Sequence, residues 1–164
     1  MDNHKNNLSE FLDDFRQTLE VSSARLSEIS EAQSQTSSRE GQWSPKQIIG
    51  HLIDSAANNH QRFVRAQLSD ELLYAGYQQD EWVKVQDYNA EPWLQLVQLW
   101  KLYNLHLAHV MSTIPEQQLT SLRPKHNLDE IAWQAVAKKA PTTLDYFVRD
   151  YVAHLKHHLG QIFG

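Results

Sequence analysis

The chain has 164 residues, of which 41% are hydrophobic, and its formal net charge is −5. This composition favours one globular domain over residues 1–164 with a sizeable core, and argues against disorder. Because the charge is acidic and no basic run is present, we expect no nucleic-acid partner. The absence of cysteine excludes disulfides, thiolate ligands and a cysteine nucleophile.

The first residues, Met1-Asp2-Asn3-His4-Lys5, are polar, and no apolar stretch of the sequence is long enough to span a bilayer. We therefore predict a cytoplasmic protein without a membrane partner. The oligomeric state is left open by the composition, and a homodimer is one of the options.

Apolar residues recur at helical spacing in four long segments, which predicts an all-α bundle. The first helix is expected over residues 2–29 and the second over residues 44–68, with a polar loop at 31–41 between them. The second helix has a well-specified start. Ser44 can cap it, Pro45 suits the first helical position and Gln47 completes a capping box.

The third predicted helix begins at Pro92 and ends near Pro115, and the last helix follows a cap at Thr142 or Thr143. The connections at 69–91 and 115–141 show no sustained helical period. Connections of this length permit the second and third helices to run parallel. The apolar faces of the four helices are expected to form the core.

Three histidines are candidates for metal ligands. His154 and His158 are four residues apart in a helical segment, so both imidazoles lie on one face, which is half of a metal site. His51, about two turns into the second helix, is the best third ligand. It falls on the polar side of that helix, so a solvated histidine is the alternative to a ligand that lines an open cleft.

Two motifs, taken together, resemble the DinB/YfiT-like superfamily of metalloenzymes, most closely its YfiT-type branch. They are W-S-x-x-Q-x-x-x-H-x-x-D at residues 43–54 and H-x-x-H-H-x-x-Q-I at residues 154–162. The resemblance implies a four-helix bundle of up-down-down-up topology with long crossover loops. It also implies a divalent ion, nickel or zinc, held by His51, His154 and His158.

Five neighbouring polar residues each have two interpretations. Asp54 is either an orienting partner of an imidazole or an exposed carboxylate, and His157 either supports the ligands or acts as a charge partner at the helix end. Arg62, on the same face as Asn58, either binds an anionic group of a substrate or forms a surface ion pair. Gln161 either hydrogen-bonds a metal-bound water or solvates the helix end. Asn58, Arg62 and Gln161 are thus the candidate substrate contacts.

The other histidines considered have weaker patterns. His106 and His109 form an i,i+3 pair on the third helix, and without a surrounding carboxylate set we predict a structural role. His126 lies in the second long loop, whose role the sequence leaves open.

A three-histidine ion with an open position predicts Lewis-acid chemistry on a water or a thiol. Relatives of the fold are linked to thiol-dependent transfer, and YfiT-type members to hydrolysis. The first hypothesis is therefore a low-molecular-weight-thiol S-transferase acting on small electrophiles, with the thiol and a small-molecule substrate as partners. The second is a metal-dependent hydrolase, and the third is a non-catalytic metal- or ligand-binding bundle. Because the motifs contain no unambiguous general base, we expect transfer over hydrolysis.

Overall fold

The computed structural model describes the backbone of residues 2–164 and the side chains from residue 7 onward. Four long helices form the bundle: α1 (Asp2–Ser27), α3 (Pro45–Ala66), α5 (Trp93–Ser112) and α8 (Leu144–Phe163). Short helices lie in the connections: α2 (Glu31–Ser34), α4 (Gln79–Gln86), α6 (Glu116–Thr120) and α7 (Leu128–Ile131). Between residues 2 and 164 the β-structure is limited to two isolated bridges, so the all-α prediction is confirmed.

Helices α3 and α5 run parallel. The ammonium group of Lys46, in the first turn of α3, donates to the carbonyl of Glu91, just before α5 begins. Farther along both helices, the rings of His60 and Tyr103 are 5.8 Å apart, centroid to centroid. The two helices therefore start at the same end of the bundle, as the long predicted connection at 69–91 permits.

Two other neighbouring pairs, α1 with α5 and α3 with α8, are antiparallel. Trp93 at the start of α5 donates its indole N–H to the carbonyl of Leu26 at the end of α1 (2.9 Å). Phe147 at the start of α8 packs on Phe63 at the end of α3, with ring centroids 5.5 Å apart. The order of directions is therefore up, down, down, up, which confirms the predicted topology.

The start of α3 has the predicted cap, and it is also an anchor for the surrounding chain. Ser44 accepts from the backbone N–H of Gln47, whose side chain accepts from the backbone N–H of Ser44. The next residue, Lys46, is fully buried, and its charge is paired with the carboxylate of Glu31. The second carboxylate oxygen of Glu31 accepts from the backbone N–H of Trp93 (2.9 Å). This network fixes α2 and the starts of α3 and α5 together.

The predicted loops contain more local structure than their composition indicates. Residues 31–41 begin with the short helix α2, which has its own capping box between Ser30 and Gln33. The connection at 69–91 contains α4 and a 3-10 turn at Tyr88–Ala90. The ring of Tyr88 lies directly on Gly50 of α3, where a Cβ would overlap Cγ and Cδ2 of that ring. Gly50 is therefore required for this close approach.

The core lies between the apolar faces of the four long helices. Its largest buried aromatic side chains come from all four: Phe15, Phe63, Trp93, Trp100 and Phe147. Some apolar side chains of these faces lie at its margin; Val64, for example, is exposed and Tyr103 is half-buried. None of the helices described is long and apolar enough to cross a membrane.

Candidate metal centre

His51 of α3 meets His154 and His158 of α8 near the start of α3. The Nε2 atoms of His51 and His154 are 3.3 Å apart, and those of His154 and His158 are 3.0 Å apart. One nitrogen from each ring can be chosen so that all three lie within 4.8 Å of one another. The antiparallel packing of α3 on α8 and the four-residue spacing on α8 produce this arrangement.

Burial keeps these imidazoles neutral. His51 is 0% exposed, and desolvation, with the charge of His158 adding to it, lowers the pKa of His51 from 6.5 to about 3. Burial, followed by the charges of the neighbouring histidines, lowers the pKa of His154 to about 3 as well. Burial also lowers the pKa of His158. Neutral imidazole is the form that binds metal ions.

The donor set fits a divalent cation. Metal–nitrogen bonds of about 2.0–2.1 Å in a tetrahedral arrangement place ligand nitrogens about 3.3 Å apart, close to the two Nε2 separations in the cluster. His158 donates Nδ1–H to Oε1 of Gln161 (2.8 Å), so its neutral form presents a lone pair on Nε2. Lone pairs of neighbouring imidazoles that point toward one place repel one another. A cation bound there would accept these lone pairs and remove the repulsion.

The structure places Gln161 beside His158 and Asp54 beside Tyr88. Gln161 bonds to His158 and thereby orients that ring, a role for which the motif gave no signal. Asp54 accepts from the hydroxyl of Tyr88 (2.7 Å) and from the side-chain N–H of Gln86 (2.9 Å), so it holds the connection after α4 against α3. Nδ1 of His51 is buried and has no hydrogen-bond partner among the described residues.

Two tryptophans flank the histidine cluster. The ring of Trp43 lies 5.0 Å from that of His51, centroid to centroid. The ring of Trp133 lies 6.3 Å from that of His154 and 5.3 Å from that of His157. His157 itself is exposed and packs against Trp133, with the two rings inclined at 33°. Each indole therefore lies beside a ring of the cluster.

A cavity of about 350 Å³ extends from the cluster between α3 and α8. Its polar lining includes Ser55, Asn59, Arg62, Asp150 and His157, and both His154 and His158 border it. Asn58, predicted as a substrate contact, instead donates to the backbone carbonyl of Asp54 (2.9 Å), and its neighbour Asn59 borders the cavity.

Asp150 is a residue of this site that the sequence motifs did not identify. Both of its carboxylate oxygens accept a backbone N–H at 2.8 Å, one from Trp133 and one from Gln134. Burial raises the pKa of Asp150. Its position four residues before His154, on the same face of α8, is a signal that the sequence does contain. Trp133 has no such signal, because it reaches the site from the loop before α8.

The remaining candidate histidines lie apart from the cluster. His106 packs on His60 of α3, with ring centroids 5.0 Å apart, and His109 stacks beside it. His126 is buried; its ring bonds to the carbonyl of Ala140 (2.8 Å) and accepts from the backbone N–H of Leu128 (3.2 Å). It therefore organises the second long connection.

The fold and the site together define a helical-bundle protein with a three-histidine centre suited to a divalent metal. The chain belongs to the DinB superfamily, whose family model matches residues 14–162. This match confirms the resemblance that the two sequence motifs indicated.

One relative is similar over most of the chain. YfiT of Bacillus subtilis (strain 168) is 27% identical over 155 residues, which are 92% of this chain and 81% of YfiT. A solved structure of YfiT from Bacillus subtilis covers 93% of this chain and 84% of that chain, at 23% identity and a TM-score of 0.71. That protein is described as a probable metal-dependent hydrolase with an unusual four-helix bundle topology. The structural likeness confirms the bundle fold.

Proposed function

We propose that this chain is a metal-dependent enzyme whose ion is held by His51, His154 and His158. The convergence of three imidazoles, one buried and two half-buried, whose pKa values burial lowers, carries this proposal. Nickel and zinc are the ions we propose, because late divalent metals favour imidazole nitrogen. A divalent ion at this position supplies Lewis-acid chemistry, lowering the pKa of a water or thiol beside it.

We propose hydrolysis as the reaction, and Asp150 is the observation that favours it. A general base was missing from the sequence motifs, and Asp150 places a carboxylate in the cavity beside the cluster. Its two backbone hydrogen bonds fix the carboxylate plane, and each oxygen keeps a second lone pair for a proton. A pKa raised by burial makes the carboxylate a better proton acceptor. The description of YfiT as a probable metal-dependent hydrolase agrees with this choice.

The S-transferase expected from the sequence has less support. It requires a thiol and an electrophile at the site together, whereas the cavity of about 350 Å³ is at the small end of the range for one organic ligand. Hydrolysis needs only one organic substrate and a water. A thiol-dependent reaction and a binding role without turnover are therefore outcomes of the test below.

The test is a parallel assay of untagged, metal-loaded protein. One panel contains esters and amides without thiol, and the other contains electrophiles with glutathione, cysteine and related thiols. The variants are His154→Ala, Asp150→Asn and the control Asp145→Asn, which removes a partly exposed carboxylate on α8 that pairs with Arg149. Elemental analysis of each protein measures its bound metal.

We expect thiol-free turnover that is lost in His154→Ala together with the metal. In Asp150→Asn, kcat should fall about 100-fold or more at unchanged metal content, because a general base contributes roughly that much. Asp145→Asn should behave as wild type. Turnover only with a thiol would establish the S-transferase, and stoichiometric metal without any turnover would favour the binding bundle.

A further inference from the structure

We propose that Arg62 forms a subsite for a carboxylate, so that the substrate carries a single negative charge at the end remote from the histidines. This inference rests on the proposed function, since it names the class of molecule on which the metal centre acts. It concerns a buried cation that borders the cavity beside the histidine cluster.

Arg62 is buried without a countercharge. Only 6% of its surface is exposed, and no carboxylate lies within 4.0 Å of its guanidinium among the residues whose side chains are described. Its bonds go to neutral oxygens, the carbonyl of Ala75 (2.8 Å) and Oδ1 of Asn59 (3.4 Å). Desolvation accordingly lowers the pKa of Arg62. A guanidinium has five N–H donors, so most of them remain for a ligand.

The other buried cations of the chain show what a structural role requires. Lys46 is neutralised by Glu31 and also donates to two backbone carbonyls. Arg123 donates to the carbonyls of Ser69 and Gln118, with Asp70 at 3.9 Å. Both bind segments of chain together and neither borders the cavity beside the histidines. Arg62 differs in that it borders this cavity and has no acidic partner among the side chains from residue 7 onward.

The cavity connects Arg62 with the histidine cluster. Arg62 is eleven residues beyond His51 on α3, so their Cα atoms are about 16 Å apart along the helix axis. Helical side chains lean toward the N-terminus, and the bond to Asn59 shows that Arg62 leans that way. One ligand in the cavity can therefore place an anionic group at Arg62 and its reactive bond beside His154 and His158.

The charged residues that line the cavity favour a substrate with a single negative charge at the Arg62 end. Arg62 is the sole lysine or arginine among the described residues that line it, whereas Glu130 and Asp150 contribute negative charge. At the end of the cavity remote from the proposed metal ion, a dianionic phosphate would meet the single positive charge of Arg62. A carboxylate matches the planar fork of one guanidinium and carries a single charge. Phe147 and Tyr151, also in the lining, suit an apolar segment between the two ends of the substrate.

Matched pairs of thiol probes test the subsite in zinc-loaded protein. Mercaptoacetate, mercaptobutyrate and mercaptohexanoate each have a thiol for the metal and a terminal carboxylate. Their primary amides have the same length without the charge. Calorimetric titration measures the affinity of each pair for wild type, Arg62→Gln, Arg62→Lys and Arg65→Gln. Arg65 is an exposed arginine one turn along α3, which makes it the matched control.

We expect the carboxylate to bind about tenfold or more tightly than the amide in the longer pairs, as a charge-assisted bidentate contact provides. Mercaptoacetate is too short to reach Arg62 and should show no such preference. The preference should disappear in Arg62→Gln, weaken in Arg62→Lys because the planar fork is lost, and persist in Arg65→Gln. If Arg62→Gln does not fold, the subsite is still tested by two results. These are the dependence of the carboxylate preference on probe length in wild type and the weaker preference expected in Arg62→Lys.

Equal affinities within every pair would overturn the subsite and leave the metal site intact. The same holds for a preference that survives in Arg62→Gln or that does not depend on length. If the protein binds neither zinc nor any probe, the proposed function fails and the subsite is overturned with it. The two failures are thus distinguished by whether the amides bind.

Discussion

The buried histidine cluster predicts that the metal-free protein loses stability in mild acid. Burial lowers the pKa of His51 and His154 from 6.5 in the unfolded chain to about 3 in the folded protein. The unfolded chain therefore takes up protons between these values and the folded protein does not. The stability is complete above pH 6.5 and declines as the pH falls toward 3.

The size of the effect follows from the two pKa values. Between pH 7.5 and 5.5, protonation of one unfolded-state histidine with a pKa of about 6.5 costs the folded protein about 1.4 kcal/mol. His51 and His154 together should therefore lower the free energy of unfolding by about 3 kcal/mol between pH 7.5 and 5.5. Burial also lowers the pKa of His158, which adds to this loss, whereas it raises the pKa of Asp54 and Asp150, which works in the opposite direction.

Urea denaturation of chelator-treated protein at several pH values between 7.5 and 5.5 measures how the free energy of unfolding changes with pH. Replacing one titrating group, in His51→Gln, should reduce the pH-dependent loss by about 1.4 kcal/mol, whatever the change in stability at pH 7.5. The control is His109→Gln, because His109 is exposed on α5 and lies outside the cluster. Its loss between pH 7.5 and 5.5 should equal that of wild type. Identical slopes in wild type and His51→Gln would refute the claim that His51 is buried as the neutral form.

Two further changes test the packing and orientation of the site. Gly50→Ala should lower the free energy of unfolding by about 1–3 kcal/mol in urea denaturation, because the new Cβ overlaps the ring of Tyr88. Helix propensity alone predicts a gain of about 1 kcal/mol, so a stabilised variant would contradict the close approach. Gln161→Leu should weaken zinc affinity about tenfold or more in chelator competition, because His158 loses the acceptor that orients its ring. Unchanged affinity would mean that the bond does not position this ligand.

The helix starts could be predicted because their signals are local. Ser44, Pro45 and Gln47 lie within one turn, and the hydrogen bonds that they make depend on no distant residue. The same pattern at Ser30 and Gln33 starts only a four-residue helix, too short for an apolar period to be visible. Helix directions depend on long-range packing, so their prediction came from the family resemblance and not from periodicity.

The site residues also divide into those that local sequence signals identify and those that depend on distant parts of the chain. The i,i+4 spacing of His154 and His158 is local, whereas the burial of His51 is not: its helical face is polar, and periodicity alone places it in solvent. That face is covered by α8 and by Trp43, which approach it from other parts of the chain. Asn58 and Asn59 show how precisely a sequence pattern can assign a residue to the cavity. Neighbouring residues on a helix point about 100° apart, so an assignment that is wrong by one residue selects a different face. Only the structure determines which of the two borders the cavity.

The buried polar stripe of α3 connects the stability of the protein to its proposed chemistry. His51, Ser55, Asn59 and Arg62 recur at spacings of three or four residues and all are buried, at positions that a bundle helix ordinarily fills with apolar side chains. The bundle gains little from them, because Nε2 of His51 faces another ring nitrogen, that of His154, and Arg62 has no counterion among the described residues. Buried polar groups that lack partners cost stability unless a ligand supplies those partners. A metal at one end of the stripe and an anionic group at the other would satisfy both ends at once.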